Sequence, residues 1–339
     1  MTDSPTAGGI TPVIDSNHRS RDSSHHAADA AALASAAAEA SGVQVREVSD
    51  GRELVAVQSL FDVVWQASPA SPLMTGELLR ALAKSGNYIG GAFEGNELVG
   101  ASVGFFGAPA EAAVHSHISG VSNAARGRSV GFALKLHQRA WSMQRGVSEI
   151  SWTYDPLVRR NSYFNLVKLA ARPEEYLTDF YGGTHDGINA GDETDRLLVR
   201  WRLDSEPVRA ACAGAPGRAD ADAARAAGAA VALGGGPSGA PVPGALDAST
   251  LLVAVPPDIE RLRLTTPGQA RDWRSALREV LGTLMAEGAR VTGFDRSGWY
   301  VVRRPGAFGD EDIGQDTAHD AGAEGTCTHG SPLTGKEQR

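Results

Sequence analysis

Three alternating segments follow one another with no helix between them: NYIGGAFE, ELVGASVGFF and AAVHSHISGV, within residues 87–121. Side chains at period two share a strand face, so each segment reads as a strand, and Glu94-Gly95-Asn96 turns the first into the second as a hairpin. Such a meander excludes a doubly wound fold, which alternates strand and helix throughout. Ahead of it, VQVREV near residue 45 is a short strand. Arg52 to Gln66 places Leu54, Val57, Phe61 and Val64 at helical spacing. Pro69 and Pro72 end that helix, and Thr75 caps the next, Gly76 to Lys84, which stops at Ser85-Gly86. Helical periodicity returns from Val130 to Arg145. EISWTYDP is then a strand, Arg159 to Ala170 a short helix, and RLLVRWRL a last alternating strand. The order predicts an α+β domain with a mixed, mostly antiparallel sheet flanked by helices.

Composition sets the boundaries. Residues 1–42 and 306–339 hold few large apolar side chains and read as disordered tails. Residues 206–247 are almost all Ala, Gly, Pro, Asp and Arg and read as a linker or surface insert. Two ordered pieces remain, 43–205 and 248–305. The second has a strand (TLLVAVP), a helix from Gln269 to Glu287 with Trp273, Leu277, Val280, Leu281 and Leu284 on one side, and two strands within VTGFDRSGWYVV. It reads as a small sheet-and-helix α/β module. Completing the sheet, covering the site and mediating a homodimer all stay open as its role.

The formal net charge of −8 argues against a general nucleic-acid binder, whose affinity comes mainly from phosphate neutralisation. No run of about 18 apolar residues exists and no apolar leader follows Asp3, so a soluble cytoplasmic protein without membrane contact is expected. Cys212 and Cys327 lie in low-complexity stretches, which suits neither disulfide, metal nor nucleophile.

The segment that carries chemistry is R-G-R-S-V-G, Arg126 to Gly131, between the histidine strand and a helix. Amide N–H groups at a helix start lack partners within the helix, and together with the dipole they hold phosphate or pyrophosphate. Glycine permits close approach, and Arg126 and Arg128 add charge-assisted bonds. No Gly-Lys-Ser/Thr follows, so this is not a P-loop. An ordinary solvated helix start is the plainer reading of the same six residues.

In this context the chain resembles the GNAT acyltransferases, which bind acyl-CoA through R/Q-x-x-G-x-G/A between the fourth strand and the third helix. Arg126, Ser129 and Gly131 occupy the fixed positions, with Ser129 replacing the usual glycine. The resemblance covers 43–205 and 250–303. It runs through ISWTYDPLVRRNSYFNLVKLAA, YLTDFYGG, DGINAGDETDRLLVRW and WRSALREV, and looks like one little-characterised branch of the family. It implies a GNAT fold, acetyl-CoA or another short acyl-CoA as co-substrate, and no metal. It also implies pyrophosphate contacts from Gly127, Arg128, Ser129, Val130 and Gly131, beside Arg126 and Val121.

His115 and His117 resemble the paired histidines of serotonin N-acetyltransferase, which help to remove a proton from the amine. A group with pKa near neutral suits that step, and a purely structural role for both is the alternative. By alternation, His115, His117, Ser119 and Val121 point the same way. The family often protonates the leaving thiolate with a tyrosine. Aligning KLAA with the customary K-L-G-F puts Leu166 at that position, and Tyr163, one turn earlier, is the nearest substitute. Asn161 and Asn165 are candidates for the pantetheine arm, and Tyr154, Asp155, Arg160 and Asp186 for the acceptor. Asp192 and Asp195 share the acidic loop with Asp186. The expectation is an N-acyltransferase acting on a primary amine of a small molecule, such as an amino acid, by direct attack in a ternary complex. A non-catalytic acyl-CoA sensor is the alternative.

Overall fold

The predicted meander forms the centre of a seven-stranded sheet. The computed structural model describes residues 16–67, 72–109, 112–182 and 192–306, apart from the side chains of 16–23. In chain order the described elements are α1 (Ser16–Ala40), β1 (Gln44–Glu47), α2 (Gly51–Trp65), α3 (Gly76–Lys84), β2 (Tyr88–Glu94), β3 (Glu97–Phe106) and β4 (Ala113–Val121). There follow α4 (Val130–Gln144), β5 (Glu149–Tyr154), α5 (Arg159–Tyr163), β6 (Arg172–Leu177) and β7 (Arg196–Arg202). The sheet order is β1-β2-β3-β4-β5-β7-β6, and every pairing is antiparallel except β4 with β5. This is the expected mixed α+β architecture.

Local chemistry explains the helices. Asp50 caps α2 by accepting from the amides of Arg52 and Glu53, and Leu54, Val57 and Phe61 are buried as their spacing predicts. Thr75 caps α3 through Leu78. Both helices cover one face of the meander, where Phe61 and Leu79 meet Ile89, Ala101 and Val103. The other face is covered by α4, whose Val130, Ala133 and Leu134 pack on Ala92 and Val99.

Two expectations from composition are corrected. The tail assigned to 1–42 contains α1 from Ser16 to Ala40, with Ala30, Ala34 and Ala38 buried at four-residue spacing; residues 1–15 lie outside the described set. Alanine is the best helix former, and its short side chain makes a close-packing stripe without large apolar groups. Similarly, 206–247 is no bare linker. It forms α6 (Glu206–Cys212), α7 (Ala221–Ala226), β8 (Ala230–Gly235) and β9 (Pro241–Pro243). Its small residues make room for a large neighbour: the Trp273 ring lies against Gly235, and its indole donates to the Gly239 carbonyl at 2.9 Å.

The chain continues through β10 (Thr250–Ala254), α8 (Ile259–Thr265), α9 (Pro267–Leu277), α10 (Thr283–Ala286), β11 (Arg290–Asp295) and β12 (Trp299–Arg303). A second sheet results, in the order β11-β12-β10-β8-β9. The C-terminal module therefore has its own sheet and does not extend the first. One apolar core joins the two, with Trp152, Trp201 and Leu197 in the same cluster as Trp273, Leu277, Leu281 and Tyr300. Of the tail assigned to 306–339, residues 307–339 lie outside the described set.

Candidate functional site

The Arg/Gly loop presents a run of backbone amides ahead of α4. A short 3₁₀ turn, Asn123–Ala125, anchors it through the buried Ala125. Gly127 (φ +79°) and Ser129 (φ +65°) then both take the left-handed conformation, and α4 starts at Val130. Among the described residues, the five successive amide N–H groups from Gly127 to Gly131 find no acceptor. Nothing lies within 4 Å of where a Cβ on Gly127 would sit. Alternating backbone hand turns successive amides inward, and the helix dipole adds positive potential there.

The two arginines divide the work differently from the expectation. Arg126 is exposed. Arg128 is no free anion claw: it pairs with Glu94 at 2.9 Å and donates to the Ser41 carbonyl at 3.2 Å. The Glu94 contact raises its pKa. Arg128 thus ties the loop to the end of α1 and to the β2–β3 turn.

A β-bulge in β4 overturns the predicted common face. Ile118 opposes Val103, but Ser116 opposes Gly104, so β4 carries one extra residue at His117. The insertion reverses the alternation. His115 and His117 lie on the α2 side, with ring centroids 5.2 and 5.7 Å from Phe105 and 6.2 Å from each other. Ser119 and Val121 turn to the α4 side, where Ser119 meets the Ser102 hydroxyl at 2.8 Å and Val121 packs near Val130. Sequence periodicity carries no sign of an inserted residue, which only pairing register reveals.

Burial disfavours the charged form of both histidines. Burial, with the positive potentials of His117 and Lys135, lowers His115 to about 4, and its Nδ1 lies 3.4 Å from the Ser151 hydroxyl. Burial also lowers His117, which is the more exposed of the two. His117 is therefore the more accessible of the two.

Beside the histidines the sheet forks. β4 and β5 pair in parallel over only three residues, Ala113 to His115 against Glu149 to Ser151. Beyond them the strands separate. On the α4 side of the fork sits Lys135, buried, with Nζ 2.8 Å from the Ser116 hydroxyl, 3.2 Å from Gln138 Oε1 and 3.7 Å from the centre of a Trp152 ring. Burial lowers its pKa from 10.5 to about 7. The sequence reading missed this lysine. The available signal was a lysine set between Leu134 and Leu136 in the first half of the helix.

The remaining predicted residues gather elsewhere. Tyr163 lines a cleft of about 150 Å³ with Val167, Phe294 and Arg296, its ring 5.9 Å from the Arg296 guanidinium. Asn165 is buried and accepts from the Trp152 indole at 3.1 Å, while Asn161 is half-buried. Tyr154 is enclosed by the core and does not line an open acceptor site. Asp155 is taken up by a buried ion network: Arg274 donates to both its oxygens at 2.9 Å, and Arg263 and Arg274 reach Asp192 at 3.2 and 3.1 Å. Burial alone would raise the Asp155 pKa, but Arg274 and Arg263 outweigh it and hold the carboxyl well below the usual range. Asp195 accepts from Arg278 at 3.0 Å and from the Tyr176 hydroxyl at 2.7 Å. Arg160 pairs with Glu260 at 2.8 Å. These charges therefore join the two modules, with Arg263 of α8, Arg274 of α9 and Arg278 just after it satisfying Asp155, Asp192 and Asp195. Asp186 lies outside the described residues. No group of three metal-ligating side chains occurs among the described residues, nor any helix long and apolar enough to cross a membrane.

No protein-family model matches the chain, and no curated protein is similar to it. Among solved structures it is similar to an N-acetyltransferase from Staphylococcus aureus Mu50, at 15% identity and a TM-score of 0.41, covering 48% of this chain and 99% of that one. A putative acetyltransferase from Salmonella typhimurium, solved with acetyl-CoA, matches at 13% identity and a TM-score of 0.40, covering 49% and 96%. The ribosomal-protein-S18-alanine N-acetyltransferase of Escherichia coli matches at 11% identity and a TM-score of 0.39, covering 48% and 95%.

Proposed function

We propose that the protein is an acyl-CoA-dependent N-acyltransferase, with acetyl-CoA as the default donor and a primary amine of a small molecule as acceptor. The observation that carries this reading is the row of five unpartnered amides at the start of α4, next to a fork between two parallel strands. A diphosphate satisfies such a row, and the thioester at the far end of the pantetheine arm reaches the fork.

The histidines give the acceptor its reactivity. An amine arrives as an ammonium and attacks only after losing a proton, which His117 accepts directly or through water. Neutral His115 stands beside it as a relay. The amine nitrogen then bonds to the acyl carbon, the carbon–sulfur bond breaks, and its electron pair leaves with sulfur. Both substrates are bound together, so no acyl-enzyme is required.

Calorimetric titration with coenzyme A tests the donor site, and mass spectrometry of the purified protein identifies any retained acyl-CoA. Thiol release from acetyl-CoA is then followed across a panel of small amines. Heat on binding followed by amine-dependent thiol release is the expected outcome. Binding without release on any amine identifies an acyl-CoA sensor, and the absence of heat refutes the reading.

A further inference from the structure

We propose that the Lys135 ammonium faces the sulfur of bound acyl-CoA and donates the proton that the departing thiolate takes up. This rests on the acyl-CoA reading above and supplies the acid it lacks. Leu166 stands where the resemblance places the usual tyrosine, and Tyr163 points into the cleft with Phe294 and Arg296.

The placement of Lys135 supports the assignment. Its Nζ bonds to Ser116, the β4 residue between the two histidines, and lies over Trp152, the first β5 residue past the paired stretch. It therefore sits where the strands part. The side of the sheet matters equally. Lys135 is on the α4 side, as is the amide loop that opens α4, whereas the histidines are on the α2 side with Phe105. A donor held at the α4 N-terminus reaches the fork on the lysine's side. The amine attacks from the histidine side, and sulfur departs toward the ammonium.

Among the described residues the lysine has no competing ionic partner. β4 offers the Ser116 hydroxyl and, through the strand, the neutral imidazoles of His115 and His117; β5 offers Trp152; α4 itself offers the Gln138 amide oxygen. None of these is a carboxylate, and burial is the cause of the lowered Lys135 pKa. An ammonium poised near neutrality gives up its proton readily to an alkyl thiolate.

The step balances. As the carbon–sulfur bond breaks, the electron pair passes to sulfur, an N–H bond of Lys135 breaks, and the proton ends on the thiol. Of the two protons the acceptor ammonium loses in becoming an amide, one reprotonates Lys135 through His117 and solvent. The other is released.

The test uses the full chain with coenzyme A itself, so it requires no knowledge of the acceptor. The bound thiol is titrated by thiolate absorbance in the ultraviolet, against the complex with desulfo-coenzyme A. In the unaltered protein the bound thiol should ionise at least tenfold more readily than free coenzyme A. In Lys135→Met it should ionise like the free thiol or less readily, with the calorimetric Kd for coenzyme A unchanged within about threefold. Equal ionisation of bound and free thiol in the unaltered protein overturns the proposal alone, and needs no folded variant. Equal ionisation in the variant and the unaltered protein does the same. Absence of coenzyme A binding overturns the acyl-CoA reading and this proposal together.

Discussion

Replacing Lys135 by methionine gives a measurable stability signature. Its pKa falls from 10.5 in an unfolded chain to about 7 in the buried site. At about 1.4 kcal/mol per pH unit, holding this group costs about 5 kcal/mol at neutral pH. The sign follows from proton counts: between pH 7 and 10.5 the unfolded chain keeps the proton and the native protein does not. Stability from this group is thus complete above the unfolded pKa and lost as pH falls. Methionine has similar length and no charge, so it removes the whole dependence. It also leaves Ser116 and Gln138 without their donor, at roughly 1 kcal/mol each. The variant should therefore be more stable by about 2–3 kcal/mol near pH 7 and less stable by about 1 kcal/mol near pH 10, where the lost hydrogen bonds outweigh the remaining burial cost. Urea unfolding of both proteins at several pH values from 7 upward measures the difference, and other titrating groups cancel between them. Parallel pH dependence would refute the claim that Lys135 is buried without a counter-charge.

Three further outcomes are expected. Arg274→Met strips a guanidinium from Asp155 and Asp192 in the buried network and should cost about 3–5 kcal/mol in chemical denaturation, less than additively with Asp155→Asn. His117→Gln should lower amine-dependent thiol release by roughly 100-fold in kcat/KM. Because burial lowers His117 below 6.5, the neutral base persists into mild acid, so the acid limb of the unaltered protein's pH–rate profile should lie below that value. Ser129→Val forces a β-branched residue into the left-handed conformation and should weaken coenzyme A at least tenfold by calorimetry, whereas Ser129→Gly should preserve binding.

What the sequence determined by itself was local. Period-two spacing located β2, β3 and β4, Asp50 and Thr75 marked helix starts by their capping chemistry, and the glycines and arginines of 126–131 marked a loop suited to an anion. Those features lie within a few residues of one another, so short-range sterics and hydrogen bonding suffice to specify them. Composition was less informative in the alanine-rich stretches, because α1 buries small side chains that count little toward apolar content. The tertiary structure decided which side chains share a space. Strand register created the bulge that sends Ser119 and Val121 away from His115 and His117. Packing against α8 and α9 committed Asp155 and Asp192 to arginines over a hundred and over seventy residues distant. Meeting of α4 with β4 and β5 placed Lys135 beside Ser116 and Trp152. Each of these depends on groups far apart in the chain, and only the closed fold brings them within reach of a hydrogen bond.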